Sequence, residues 1–154
     1  MEKHDDVFIF SMFFYTKLLN HGLDSVFHWY KRVNLAEKRL LIFPVHQKAD
    51  SHWCLAVADV PAKQLTCFDS LEKENSDCSC LVLLKNYLFK LNGQCYSIAE
   101  EKSIPRQLNS DDCGVFTCLY ARFLAANCRF DFSQSDIPAI REKMKSELLQ
   151  KMLL

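Results

Sequence analysis

Runs of apolar residues separated by short breaks predict the elements in the first third of the chain. Residues 7–19 are nearly all large and apolar, which predicts a buried helix or an extended core segment. Gly22 breaks this run, and apolar positions at helical spacing then predict a short amphipathic helix over 25–33. Residues 40–45 are a continuous apolar run that is too short for a typical helix, so they predict a buried strand.

Two further segments, 52–58 and 64–69, are apolar on both faces and predict a buried antiparallel hairpin. A stripe of leucines then predicts an amphipathic helix over 81–91, which Gly93 ends. The remaining predicted elements are a short strand over 94–99 and a terminal helix over 137–154. The core stripe of the terminal helix is predicted to be Ile140, Met144, Leu148 and Met152.

The register of the predicted hairpin follows from the position of its turn. A turn centred between Val60 and Pro61 places His52 directly opposite Asp69. A turn one residue further along makes the two residues diagonal neighbours, whose side chains still reach each other. A displacement by half a residue places them on opposite faces of the hairpin. The loop length therefore decides whether this histidine and this aspartate meet.

A buried helix is predicted to begin at or beside Cys113. Pro105 and the polar run 109–112 cannot continue an apolar element, whereas apolar residues recur at helical spacing after the cysteine. A cysteine at a helix start lies against unpaired backbone N–H groups at the positive end of the helix dipole, which favours the thiolate. A thiolate in this position is a nucleophile, although a buried core cysteine is the alternative interpretation.

Composition limits the classes of protein and of partner. The 154 residues indicate a single domain with one substantial core. Because 19 basic residues balance 19 acidic ones, no bulk attraction to nucleic acid or to an anionic membrane is implied. Eight cysteines without a preceding secretory signal indicate a reducing compartment. Cys78 and Cys80 are close-spaced, but no second Cys/His pair follows at finger spacing, so we expect no metal.

His52, Asp69 and Cys113 are the three residue types that cysteine acyl transfer needs. A thiolate attacks the carbonyl, an imidazole moves the proton, and a carboxylate orients the imidazole. This chemistry also needs an oxyanion donor, and Gln107, six residues before the cysteine, is one candidate whose side-chain NH2 could lie beside the backbone N–H of Cys113. Taken singly, each residue has an ordinary structural interpretation, and spacing alone does not bring Cys113 to His52.

The motifs resemble those of the Ulp-type (sentrin/SUMO-specific) cysteine peptidases, which hydrolyse bonds after the C-terminal Gly-Gly of SUMO. The resemblance rests on the run His-Trp-Cys-Leu-Ala-Val at 52–57, on Asp-Ser seventeen residues after the histidine, and on Gln-Leu-Asn-Ser-Asp-Asp-Cys-Gly-Val-Phe at 107–116. It extends upstream through 13–18 and 29–33, and downstream to the helix at 141–154. It therefore covers essentially the whole chain.

This resemblance implies an α+β, papain-like fold with the chain order His, Asp, Cys and a central antiparallel hairpin in a mixed sheet flanked by helices. Cys113 resembles the family's nucleophile, and His52 its general base and acid. Asp69 resembles the residue that orients the histidine, and Gln107 the oxyanion donor. Neither a metal nor an organic cofactor is implied.

The resemblance also implies a substrate site. Trp53 resembles one wall of the tunnel that admits only Gly-Gly, and Phe13, Trp29 and His46 fall at positions that touch the substrate's tail or body. The expected partners are SUMO and SUMO-conjugated proteins, bound by a monomer that binds neither nucleic acid nor membranes. The family implies a nuclear and also cytoplasmic location.

Two departures from the family's pattern bear on activity. The family's catalytic domain begins further upstream with a tryptophan-containing segment that supplies the opposite tunnel wall, so 1–154 is expected to be a single domain lacking that part. Residues 47–51, next to His52, form a longer link than usual. We expect a SUMO-specific protease that deconjugates SUMO, processes its precursor, or does both. The alternatives are a truncated, non-catalytic module that binds ubiquitin-like proteins and a deneddylase of the same family.

Overall fold

A computed structural model describes residues 5–71 and 79–151 of the chain. This part of the chain forms a five-stranded mixed sheet in which the spatial order of the strands is the same as their order in the sequence. The three central strands are antiparallel, and each edge strand runs parallel to its neighbour. The strands are β1 (Val7–Ile9), β2 (Leu40–Gln47), β3 (His52–Asp59), β4 (Gln64–Phe68) and β5 (Ser97–Glu100).

Helices cover both faces of this sheet, which gives the expected α+β fold. They are α1 (Met12–His21), α2 (Ser79–Asn92), α3 (Cys113–Ala125) and α4 (Ile137–Gln150). Helix α3 begins at the cysteine, as predicted. Gly93 ends α2 as predicted, because its φ of +71° permits the left-handed turn in which its N–H bonds the Phe89 carbonyl at 2.8 Å.

Alternation along the central strands divides the core between the two sheet faces. On β3, Cys54 and Ala56 pack with α1 and α2, whereas Leu55 and Val57 face the layer formed by α3 and α4. Both faces are covered, so the strand carries apolar residues at nearly every position. This double burial fixes the register of the sheet end where the candidate site residues lie.

The turn of the β3–β4 hairpin is centred between Pro61 and Ala62, one residue further along the chain than the first turn position considered above. The register that places His52 directly opposite Asp69 is therefore wrong. Asp59 pairs with Gln64, and the residue numbers of every pair in this ladder add to 123. The Asp59 carboxylate accepts a hydrogen bond from the Ala62 N–H at 2.9 Å and holds the turn in this position. The second register, with the histidine and aspartate as diagonal neighbours, is therefore the correct one.

The segment 25–33, predicted to be a helix, forms a 3₁₀ turn at Leu23–Ser25 followed by further turns. Tyr30 explains the difference, because its ring packs edge-on against Phe8 and Phe10, with centroids 5.0 and 4.8 Å apart. Its hydroxyl also accepts a hydrogen bond from the Ser11 N–H, the cap of α1, at 2.9 Å. These tertiary contacts override the amphipathic pattern. The apolar run at 7–19 forms both β1 and α1.

Helix α4 confirms two of the predicted core residues and contradicts a third. Ile140 and Met144 pack against the core as predicted. Leu148 is 80% exposed, whereas Glu147 is 5% exposed and pairs with Arg122 of α3 at 2.9 Å. The steps of three and four residues from Ile137 through Met144 to Glu147 follow the helical period more closely than uniform steps of four. Met152 lies outside the described residues. Within the described ranges, no helix has both the length and the apolar character needed to cross a bilayer.

Candidate active site

His52 and Asp69 are brought together at one end of the sheet, as the hairpin register requires. The histidine is the first residue of β3, and the aspartate directly follows β4. The His52 Nε2 atom lies 2.6 Å from the Asp69 Oδ1 atom, and both side chains are buried. A hydrogen bond from Nε2–H to the carboxylate places the lone pair on Nδ1, so Nδ1 is the ring nitrogen that can accept a proton.

Asp69 is held by backbone and arginine contacts in addition to the histidine. Its Oδ1 atom also accepts a hydrogen bond from the Leu71 N–H at 2.9 Å. Arg106 donates from Nη1 to the Asp69 carbonyl oxygen at 2.5 Å, so the strand end and the segment before α3 are tied together. The carboxylate therefore presents one fixed oxygen to the imidazole.

Gln107 is buried and has its amide orientation set by two neighbours. The Ser70 hydroxyl donates to Gln107 Oε1 at 2.5 Å, and the Gln107 Nε2 group donates to the Asn109 carbonyl at 2.6 Å. The NH2 group therefore points to the turn that leads into α3. Because an amide nitrogen carries two hydrogens, one N–H remains for a substrate oxygen. This arrangement suits an oxyanion donor.

The start of α3 presents Cys113 as its first residue, 7% exposed. Asp112 is the cap residue, and its carbonyl accepts the first helical hydrogen bond from the Phe116 N–H at 3.0 Å. The Asn109 side-chain oxygen accepts hydrogen bonds from the N–H groups of Asp111 and Asp112, both at 3.2 Å. The polar run 109–112 thus forms a closed turn that ends at the cysteine.

The Asp112 carboxylate lies at the centre of a charged network next to the cysteine. It accepts hydrogen bonds from Asn109 Nδ2 at 2.6 Å, from Gln134 Nε2 at 2.8 Å and from Arg141 Nε at 2.9 Å. Burial acts to raise the pKa of Asp112, but the hydrogen bonds from Asn109, Arg141 and Gln134 and the arginine charge outweigh it and hold that pKa below its ordinary value. The carboxylate beside the thiol is therefore ionised and compensated by an arginine.

The four residues predicted to contact substrate fall into two groups. His46 and Trp53 are paired across β2 and β3, and their rings are 4.6 Å apart, directly next to His52. Phe13 lies on α1 and is 68% exposed, and Trp29 lies in the turns after α1 and is 44% exposed. The first group thus adjoins His52 along the strands, and the second group offers exposed aromatic surface from the first part of the chain.

The longer link before His52 is absorbed in a four-residue turn. The β2–β3 ladder continues to the pair Gln47 and His52, and residues 48–51 reverse the chain. Ser51 has a φ of +49°, which lets the turn close directly before the strand. The histidine accordingly remains in the ladder despite the extra residues.

Sequence reasoning missed four polar residues that position the site: Ser70, Asn109, Asp112 and Arg141. The spacing Asn-x-x-Asp before a helix is a local signal for the closed turn and was available. Arg141 lies 29 residues after Asp112, so no local pattern could have paired them. The Ser70–Gln107 bond spans 37 residues and had no local signal either.

Comparison with known proteins assigns a family to this arrangement. A family model described as the Ulp1 protease family, C-terminal catalytic domain, matches residues 1–153. Among curated proteins, human Sentrin-specific protease 2 is 36% identical over 155 residues, which are 95% of this chain and 26% of that protein. A Caenorhabditis elegans Sentrin-specific protease is 31% identical over 161 residues, which are 99% of this chain and 22% of that protein.

Solved structures give the same fold. The C-terminal Ulp1 protease domain in complex with Smt3, the yeast orthologue of SUMO, superposes with a TM-score of 0.76 at 27% identity, over 85% of this chain and 62% of that one. The catalytic domain of the Chaetomium thermophilum Ulp1-like SUMO protease gives a TM-score of 0.84 at 23% identity, over 98% of this chain and 64% of that one. The chain thus spans about a quarter of the human relative and under two thirds of the solved domains.

Proposed function

This chain belongs to the Ulp1 protease family, and we propose on that premise that it is a SUMO-specific cysteine protease. It hydrolyses the bond after the C-terminal Gly-Gly of SUMO, in isopeptide deconjugation, in precursor processing or in both. The observation that carries the proposal is the buried His52–Asp69 pair, linked through Ser70 and Gln107 to the turn that precedes Cys113. Relatives named Sentrin-specific proteases and a Ulp1 domain bound to Smt3 support SUMO as the substrate.

Each polar side chain of the site has a defined role in the proposed reaction, set by the hydrogen bonds that it already makes in the structure. His52 Nδ1 accepts the proton of the Cys113 thiol, and the thiolate attacks the carbonyl carbon of the terminal glycine. The Gln107 N–H and the backbone N–H of Cys113 stabilise the resulting oxyanion. The imidazolium then protonates the departing amine, and water hydrolyses the SUMO thioester with His52 acting again as base. Asp69 keeps the imidazole in the productive tautomer throughout.

Substrate contacts are proposed on two surfaces. The cross-strand pair of His46 and Trp53, whose rings are 4.6 Å apart, adjoins the base along the strands and flanks the Gly-Gly tail. Phe13 and Trp29 offer exposed aromatic surface to the tail or body of SUMO. Aromatic side chains suit this role because they provide large contact area at a low cost in conformational entropy.

The proposed partners are SUMO and SUMO-conjugated proteins, bound by a monomer. The net charge of zero supports recognition by local shape instead of by bulk attraction to nucleic acid or membranes. A nuclear location, with a cytoplasmic fraction, is proposed from the family. Light scattering of the purified chain and imaging of a fluorescent fusion check the oligomeric state and the location.

The experiment that tests the function measures turnover of a fluorogenic C-terminal amide of SUMO, compared with the same amide of NEDD8. We expect release from SUMO by the native chain and none by Cys113→Ala. Cys118→Ala is the matched control, because this cysteine lies on the same helix but is exposed. Faster turnover of NEDD8 would identify a deneddylase. Binding of SUMO by Cys113→Ala, without turnover by the native chain, would identify a non-catalytic binding module.

A further inference from the structure

Three cysteines from three different elements meet in the core away from Cys113. Cys54 lies on β3, Cys67 on β4 and Cys80 at the start of α2. Their sulfur atoms all lie within 4.8 Å of one another. Cys54 and Cys80 are buried and Cys67 is partly buried. The cluster therefore presents three soft ligand atoms to one point in the interior.

The position of this cluster follows from the sheet register. Cys54 is two residues after His52 and Cys67 is two residues before Asp69, so the alternation of side chains puts all four on one face of the hairpin. Helix α2 covers that face and brings Cys80 onto the two strand cysteines. The two strand cysteines consequently lie on the same face as the paired histidine and aspartate, two residues further into each strand.

A polar group that can stabilise a thiolate lies beside the cluster. The Gln47 side-chain nitrogen lies 3.5 Å from the Cys54 sulfur and donates to it. A hydrogen bond of this kind to a ligand atom is typical of the surroundings of thiolate metal sites.

The separations and charges suit a divalent ion that prefers sulfur. Zinc–sulfur bonds of about 2.3 Å place ligand sulfurs roughly 3.8–4.0 Å apart, so the thiols need only side-chain adjustments to surround an ion. Binding Zn²⁺ releases three thiol protons and leaves a complex of net charge −1, whereas a monovalent ion such as Cu⁺ leaves −2. A buried site favours the smaller net charge.

We propose that Cys54, Cys67 and Cys80 bind one zinc ion, with an oxygen ligand at the fourth position. This site differs from the pattern considered in the sequence, where Cys80 was paired with Cys78, a residue outside those the structure describes. The three ligands are separated by 13 residues in each step along the chain, which matches no zinc-finger spacing. Only the hairpin register and the packing of α2 bring them together.

The test titrates Cd²⁺, a spectroscopic substitute for Zn²⁺, into the purified, reduced and metal-free chain carrying Cys113→Ser. This background removes the candidate nucleophile as a competing ligand. We expect a sulfur-to-cadmium charge-transfer band that saturates at one ion per chain, displacement of Cd²⁺ by Zn²⁺, and a higher melting temperature in Zn²⁺.

Two cluster variants and two matched controls decide the result. Cys67→Ala and Cys80→Ala are expected to lose the band and to weaken binding by at least about a hundredfold. Cys95→Ala and Cys118→Ala, which remove exposed thiols, are expected to retain it. Circular dichroism checks the folding of each variant. If Cys80→Ala fails to fold, the result for Cys67→Ala decides. An absent band, or a band that survives both cluster variants, overturns the proposal, as does one lost in a control.

Discussion

The Nε2 atom of His52 lies 2.6 Å from the Oδ1 atom of Asp69, on a pair of diagonal positions of the β3–β4 hairpin. The same carboxylate oxygen accepts the Leu71 N–H, so a single acceptor atom holds both the imidazole and the chain that follows β4. This geometry assigns Nε2 to the carboxylate and leaves Nδ1 for proton transfer.

Asp69→Asn is expected to be milder than Asp69→Ala. The amide oxygen of asparagine can accept the hydrogen bonds from His52 and Leu71, and papain-like proteases use a Cys-His-Asn triad. We therefore expect kcat to fall roughly tenfold, which is less than the usual contribution of general acid–base catalysis. Alanine removes the acceptor and releases the imidazole, and we expect a fall of roughly 10²- to 10³-fold. KM should change little in either variant. Equal losses in the two variants, or losses confined to KM, would contradict the positioning role.

Gln107→Ala is expected to lower kcat by roughly 10²- to 10³-fold, as removal of an oxyanion donor does. Ser70→Ala keeps the donor but removes the hydroxyl that orients it, and should cost roughly tenfold or less. Steady-state kinetics with the SUMO amide measures both. Thermal melts separate catalysis from folding, because Gln107 is buried and its loss also removes hydrogen bonds. A variant that loses stability but keeps its kcat would exclude the oxyanion role.

Arg141→Met is expected to destabilise the chain by about 1–3 kcal/mol, because it leaves the buried Asp112 carboxylate without its cation. The rate should also fall, since an uncompensated negative charge next to Cys113 disfavours the thiolate. Lys145→Met is the matched control on the same helix. Its pair with Glu142 is exposed and 3.7 Å long, so a change within about 0.5 kcal/mol is expected. Urea unfolding measures both, and equal effects would remove the special role of Arg141.

The lowered pKa of Asp112 predicts a defined dependence of stability on acid. A carboxyl whose pKa is lower in the folded state stabilises the fold above its unfolded pKa of about 3.9. That stabilisation is lost as the pH falls through the lower, folded value. Asp112→Asn has no such group, so its unfolding free energy should fall less steeply below about pH 4 than that of the native chain. Parallel pH profiles from urea unfolding would contradict the expectation.

Local sequence signals were sufficient for the start of α3, because Pro105 and the polar run before the cysteine fix it. Strand alternation placed His52 and Asp69 on one face for two of the three turn positions considered, so their shared face depended on the turn centre. The exact turn centre was not predictable, because it depends on how the Asp59 side chain caps the turn. A preference of this kind competes with several others of similar energy.

Long-range partners account for the remaining differences. The turns after α1 replace a helix because Tyr30 packs onto β1 and caps α1, and no pattern within that segment reveals this contact. In α4 the buried face includes a glutamate, because Arg122 of a neighbouring helix neutralises it. The Arg141–Asp112 and Ser70–Gln107 contacts likewise join residues that are distant in sequence. Such pairs are determined by packing of the whole chain.

A SUMO probe whose C-terminal glycine carries an electrophile tests directly whether Cys113 is the nucleophile. We expect a covalent adduct of the calculated mass, located at Cys113 by peptide mass spectrometry, absent in Cys113→Ala and retained in Cys118→Ala. Modification should also slow strongly in Gln107→Ala, because the same oxyanion site assists the attack. No adduct with any SUMO paralogue from a chain that melts cooperatively, or an adduct on another cysteine, would contradict this role of Cys113.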